Sequence, residues 1–156
     1  LEKELNWTGI LCEPNTKFHT SIQAKRSKNI FIKKPIFNRD NVKVKLTHKE
    51  GGRSFISSDH NVINDQDKHE TITLNSVFKQ HLKNNLLDYL SVDTEGSEYE
   101  ILKDLNFELY SPKIITVEHN YDKQKRNNIY NLLVSKKYKR VFKSLSRFED
   151  WYILHN

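Results

Sequence analysis

Short apolar runs alternate with helix-length stretches along this chain, and that alternation limits its fold more tightly than any other feature. Leu86-Leu87-Asp88-Tyr89-Leu90-Ser91-Val92 and Lys113-Ile114-Ile115-Thr116-Val117 read as buried strands. Between them a helix opens at Gly96 or Ser97 and runs to about Leu105. Apolar runs this short, joined by helices, point to parallel strands with crossover connections, and so to an α/β sheet. Upstream, Trp7 to Cys12 reads as a short buried strand that stops at Glu13-Pro14-Asn15, because proline has no amide to donate to a central ladder. Leu1 to Leu5 reads as the end of a helix. Thr16 to Arg26 is a predicted helix capped by Asn15 or Thr16. Asn29 to Ile32 is a further strand, broken at Lys34-Pro35.

The middle of the chain departs from this rhythm. Val42-Lys43-Val44-Lys45-Leu46 alternates apolar and basic residues, the period of a half-exposed strand. Glu50-Gly51-Gly52-Arg53 predicts a turn, and the polar stretch from Ser57 to Lys68 predicts a loop, so this section is a β-rich excursion. Thr73 to Asn84 suits a helix, and Lys123 to Lys137 an amphipathic one with Ile129, Leu132 and Leu133 on one face. Tyr138 to Lys143 and Trp151 to Leu154 read as a terminal strand pair. With no internal repeat and no linker, residues 1–156 are expected to form a single domain.

Composition narrows the function classes. With 4 glycines and 3 prolines the chain is poorly supplied for a many-hairpin β protein. Cys12 stands alone, which excludes an internal disulfide and fits a reducing, cytoplasmic setting. No apolar stretch approaches the ~20 residues of a membrane helix, and no signal peptide is visible, so no membrane segment is expected. The charge of +6 is spread over a chain rich in Lys, Asn and Ile throughout. It reads as a solvated basic surface, with no nucleic-acid partner expected. Nothing in the sequence indicates oligomeric state. The chain begins with Leu1 rather than Met, and its native amino terminus is expected further upstream.

In an α/β sheet, ligands bind at the carboxyl ends of the strands. Three such ends carry charge: Glu13, then Asp93 with Glu95, then Glu118 with His119. Glu13 is either a turn residue or a carboxylate whose acceptor oxygens match a ribose diol. In Asp93-Thr94-Glu95-Gly96-Ser97-Glu98 the acids either face a cationic or hydroxyl group or oppose the dipole of the following helix, and Glu98 and Glu100 suit the second role. His119 is a candidate general base by its near-neutral pKa, or else a hydrogen-bonded structural residue. His119 with Glu118, Asp93 and Glu95 also offers oxygen and nitrogen ligands to a metal, but without any recognised ligand spacing, so none is expected.

Four blocks of the sequence, taken together, resemble the FkbM-type methyltransferases. They are Leu1 to Asn15, Thr71-Ile72-Thr73-Leu74-Asn75-Ser76-Val77 with Asp88 to Glu98, Ile115 to Asn120, and Asp150-Trp151-Tyr152. Their order and spacing agree over essentially the whole chain. The resemblance implies a Rossmann-like class I methyltransferase sheet, mostly parallel, with an antiparallel terminal strand pair. It implies S-adenosylmethionine as cofactor and transfer to a hydroxyl of a sugar or other small metabolite. Carried over, Glu13 would hold the cofactor ribose. Asp93 and Glu95 would lie by its methionine end, and the stretch from Lys33 to Phe37 near its adenine. Glu118 and His119 would face the acceptor, with Asp93 or His119 as the base. The family's first strand and glycine-rich turn would precede Leu1, so this amino-terminal strand is expected to be missing. The isolated chain is then expected to be less stable than the full domain and a poor binder of cofactor, with two inner strand edges left unpaired.

Two other function classes compete with this reading. One is a non-catalytic interaction module that keeps the fold. The other is a basic nucleic-acid-binding domain using Lys123, Lys125, Arg126, Lys136, Lys137, Lys139, Arg140, Lys143 and Arg147.

Overall fold

A computed structural model of the chain describes residues 1–48, 54–57 and 68–155. Its first half runs α1 (Glu2–Leu5), β1 (Ile10–Cys12), α2 (Thr16–Lys25), β2 (Ile30–Ile32), β3 (Lys43–His48), β4 (Ser54–Ser57) and β5 (Lys68–Glu70). The second half runs α3 (Leu74–His81), β6 (Tyr89–Val92), α4 (Glu98–Asp104), β7 (Ile114–Glu118), α5 (Lys123–Ser135), β8 (Tyr138–Val141) and β9 (Glu149–Leu154). Helix starts follow local chemistry. Asn15, Thr73 and Asp122 sit in extended conformation just before α2, α3 and α5, and their side chains accept from the amides of Lys17, Ser76 and Lys125.

The strands form three sheets among the described residues, of orders β1-β2, β4-β3-β5 and β6-β7-β9-β8. Strand β1 lies parallel to β2, with Leu11 opposite Phe31, and β6 parallel to β7, with Ser91 opposite Thr116. The other pairings, β3 with β4 and β5, β7 with β9, and β8 with β9, are antiparallel. The α/β class and the antiparallel terminal pair are as expected, but the mostly parallel sheet becomes a mixed set of small sheets. Strands of three to five residues supply few ladder bonds, and no described strand joins the free edge of β1 to that of β6.

Several elements are shorter than their apolar runs. The first strand begins at Ile10, not Trp7, because the Gly9 amide is taken by the Asn29 side chain at 2.7 Å. It is half-buried rather than buried. Strand β6 begins at Tyr89, and Leu86 is exposed. Helix α3 ends at His81, ahead of Asn84 and Asn85, which both take left-handed conformations. Strands β4 and β5 formed at the margins of what reads as turn and loop. The turn at Glu50 to Arg53 and the interior of the polar loop lie outside the described residues.

The core packs on one face of the largest sheet. Side chains alternate across a strand, so Leu90, Val92, Ile115, Val117 and Tyr152 point together toward Val77, Phe78, Ile101, Leu102, Ile129 and Leu133 of α3, α4 and α5. Ile114, Trp151 and Ile153 occupy the other face and are exposed. Helix α5 is also fixed to the sheet by charge. Asp150, buried on β9, accepts from Arg126 Nε and Nη2 at 2.8 and 2.7 Å and from Arg140 Nη1 at 3.2 Å.

Burial alone would push the Asp150 carboxyl up, but the Arg126 hydrogen bonds and the charges of Arg126 and Arg140 outweigh it and hold it below the usual value of 3.8. Removing one partner of a buried pair strands the others, so Asp150→Ala is expected to destabilise the fold by about 3–5 kcal/mol, read by denaturant unfolding. Because the folded carboxyl is depressed, its stabilisation is present above the unfolded value and is lost as pH falls through the folded one. The acid limb of a melting-temperature profile is therefore expected to be shallower in Asp150→Ala.

Candidate functional site

The carboxyl ends of β1 and β6 open onto one cleft of about 180 Å³. Cys12, Glu13 and Pro14 form one side, and Asp93, Thr94, Glu95 and Ser97 the other. Pro35, Ile36, Leu46 and Ile56 supply apolar wall. Pro35 and Ile36 are brought there by a short parallel bridge to Ile72, just ahead of α3. Leu46 and Ile56 come from the β3–β4 pair, in the β-rich excursion from the main alternation. Leu46 is signalled by the apolar period of Val42 to Leu46, and Ile56 by no feature read in the sequence.

Glu13 is held from both sides. Its amide donates to the Ile32 carbonyl at 3.0 Å. Its carbonyl lies 2.9 Å from the His19 ring, and its Oε1 accepts the Asn15 amide at 2.7 Å. Cys12 beside it is a poor nucleophile, because burial pushes its thiol up to about 12.

The acidic turn after β6 is shaped by Glu98. Glu95 takes a left-handed conformation at φ 56°, and Gly96 sits at φ 141°, where L side chains are strained even though a Cβ there would meet nothing within 4 Å. Glu98 is fully buried, and its Oε1 accepts from the amides of Thr94 and Gly96, both at 2.9 Å, and from the Thr94 hydroxyl at 3.2 Å. Its Oε2 pairs with Lys125 of α5 at 3.2 Å. Glu98 thus acts within the turn. The cleft is lined instead by Asp93 and Glu95.

Glu118, at the end of β7, joins them. Asp93, Glu95 and Glu118 each present a carboxylate oxygen within 4.8 Å of the others. Asn120 bridges two of them, donating to Glu118 Oε2 at 2.8 Å and reaching Glu95 Oε2 at 3.5 Å. The Glu118 carboxyl is pushed up to about 8, first by burial, then by its hydrogen bond to Asp93 and by the charges of Asp93, Glu95 and Glu98. That hydrogen bond favours a proton shared between the Glu118 and Asp93 carboxyls. The cluster is a concentrated negative field, suited to receiving a cation or a proton.

His119 lies elsewhere. It is buried, it does not line the cleft, and its side chain is on the Asp150 side of the sheet. Its Nδ1 accepts the Tyr121 amide at 3.2 Å, so in the neutral ring the proton is on Nε2. That nitrogen is buried without a hydrogen-bond partner, 4.0 Å from Asp150 Oδ2. Burial holds the imidazole below its usual pKa, with the charges of Arg126 and Arg140 adding to burial and that of Asp150 opposing it.

The family model of the methyltransferase FkbM domain matches residues 1–151. The chain belongs to this family. Comparison with curated proteins and with solved structures found no match. In this FkbM methyltransferase domain, Glu13, Asp93 and Glu95 share one cleft, while Glu118 and Asn120 complete an acid cluster that their place at a strand end foreshadows. Several of the basic residues that suggested a nucleic-acid surface are engaged within the fold, Lys125 by Glu98 and Arg126 and Arg140 by Asp150.

Glu118 supplies a pH test of the cluster. A carboxyl whose folded value is raised from 4.5 to about 8 favours the folded state fully below the unfolded value, and that contribution is lost as pH rises toward 8. The melting temperature is expected to decline by a few degrees over this interval. In Glu118→Gln the decline should be largely abolished. An unchanged profile in the variant would show that Glu118 titrates normally.

Proposed function

We propose that this domain transfers a methyl group from S-adenosylmethionine to a hydroxyl oxygen of a sugar or other small hydroxylated metabolite. The observation that carries the reading is the meeting of Glu13 with Asp93 and Glu95 across a cleft with an apolar wall. The residues fit that cofactor. Glu13 offers acceptor oxygens to a ribose diol. Asp93 and Glu95 complement an ammonium and a sulfonium charge, and Pro35, Ile36, Leu46 and Ile56 suit the face of an aromatic base. When bound, S-adenosylmethionine supplies an electrophilic methyl on a sulfonium.

The chain's own residues would orient the partners and handle one proton. Asp93 is exposed at the cleft and within reach of an incoming hydroxyl, so it is our choice of general base. Glu118 shares a hydrogen bond with it and Asn120 steadies Glu118. His119, the other candidate base, is assigned a positioning role, since it fixes the turn at Asn120 and Tyr121 that carries the Asn120 amide. We also infer that β2-β1 and β6-β7-β9-β8 belong to one Rossmann-like sheet. In support, Ile10 and Ile32 pack against the same core as β6 and β7, and β1 and β6 end at one cleft.

The test is calorimetric titration of S-adenosylmethionine into this chain and into a chain extended upstream of Leu1. Binding by either, weakened roughly tenfold or more by Glu13→Ala and by Asp93→Asn, is the expected result. Absence of binding in both chains would remove the cofactor assignment and favour an interaction module that keeps the fold.

A further inference from the structure

The turn joining β8 to β9 exposes apolar side chains that have no role in the site. Leu145 is 75% exposed, Phe142 60% and Phe148 46%. Trp151 stands behind them, its ring edge-to-face with Phe142 at 6.2 Å, and is itself exposed. The turn is held out in a defined shape, because the amides of Leu145 and Ser146 donate to the Phe142 carbonyl and those of His119 and Asn120 to the Phe148 carbonyl. Large apolar groups clustered and exposed on one turn mark a contact surface.

The charges around the tip identify what it contacts. Lys143 and Arg147 lie within the turn, both exposed, and neither has a carboxylate partner among the described residues. No acidic residue occurs from Phe142 to Phe148, and Glu149, which follows, is engaged by the Trp151 indole N–H at 3.1 Å. Lys143 also lines an adjoining groove of about 580 Å³ with Lys137, Lys139 and His155, and no acidic side chain lines that groove. Exposed apolar and aromatic side chains on one turn, flanked by lysine and arginine, are the pattern of a segment seated in the headgroup region of a bilayer. A protein partner would have to provide a matching apolar pocket ringed by acids. A bilayer with anionic headgroups provides both features without any special shape.

We propose that the β8–β9 turn and its adjoining basic groove dock this protein on the surface of a bilayer bearing anionic lipids. Phe142 and Leu145 enter the interface, and Lys143 and Arg147 meet the headgroups. No helix of the described residues is long and apolar enough to cross a membrane.

The test is co-sedimentation with vesicles of phosphatidylcholine alone and of equal parts phosphatidylcholine and phosphatidylglycerol. Binding is expected to the mixed vesicles and to be weak or lost on the neutral ones. It is expected to fall about fivefold for each of Lys143→Gln and Arg147→Gln and by roughly tenfold or more for Leu145→Ser. Leu145 is so exposed that its substitution should leave the fold intact, which circular dichroism verifies. Trp151 emission should shift to the blue on the mixed vesicles, and Trp151→Phe should remove that shift while binding persists. The proposal is overturned if neither vesicle binds, or if Leu145→Ser binds as the parent does. It is equally overturned if inorganic pyrophosphate occupies the groove with the same dependence on Lys143 while vesicles are ignored, or if the turn instead mediates a lipid-free dimer that Leu145→Ser dissolves.

Discussion

One buried carboxylate organises the acidic end of this sheet. Glu98 has no solvent to stabilise its charge, so its position is set by what it can accept: two backbone amides and a hydroxyl on one oxygen, and the Lys125 ammonium on the other. The amides belong to the turn that follows β6, and the ammonium belongs to α5. A single side chain therefore fixes the turn geometry, forces Glu95 and Gly96 into positive φ, and ties α4 to α5. The Asp93 and Glu95 side chains that line the cleft inherit their positions from it. Groups that bond the backbone in this way are expensive to replace, because each unpaired amide would carry its own desolvation cost.

The same region concentrates more negative charge than its burial comfortably tolerates. Burial and the neighbouring acids push the Glu118 carboxyl well above its usual range, and Asn120 places its amide between Glu118 and Glu95. A few ångströms away, on the opposite face of β7, the balance is reversed. There one buried aspartate is shared by two arginines, and the neutral imidazole of His119 faces it. The two faces of one strand thus carry electrostatic environments of opposite sign, and successive residues Glu118 and His119 belong to different ones.

Much of this was legible in the sequence because it follows from local rules. The order of elements, the cap at Asn15, the terminal strand pair and the charged ends of β1, β6 and β7 all rest on period, proline placement and short polar side chains. Glu98 was legible only as an acid opposing the dipole of its helix; its burial and its bonds to Thr94, Gly96 and Lys125 were not. What could not be read was set by distant partners. Whether Leu86 or Tyr89 begins a strand depends on where β7 offers carbonyls and amides. The burial of His119 depends on α5 and β9 closing over it. The elevated carboxyl of Glu118 requires knowing that Asp93 lies beside it. Leu46 and Ile56 reach the cleft only because a hairpin distant in sequence folds back toward it. A mixed arrangement of small sheets was likewise invisible, since short apolar runs do not reveal which edges pair.

Every member of the main buried cluster lies between Leu74 and Tyr152, whereas β1 and β2 contribute only the partly buried Ile10 and Ile32. Helix α2 buries no residue at all. Stability is therefore graded along the chain. Amides in β7 are expected to exchange their hydrogens only when the whole core opens, and those in β1 and α2 through small local openings of low free energy. Glu13 rides on the loosely held part and Asp93 on the firm one. A molecule that touches both must spend some of its interaction energy quieting the first, and in return it raises the protection of a segment it barely covers. Affinity at the cleft and the order of the amino-terminal elements are two readings of one equilibrium.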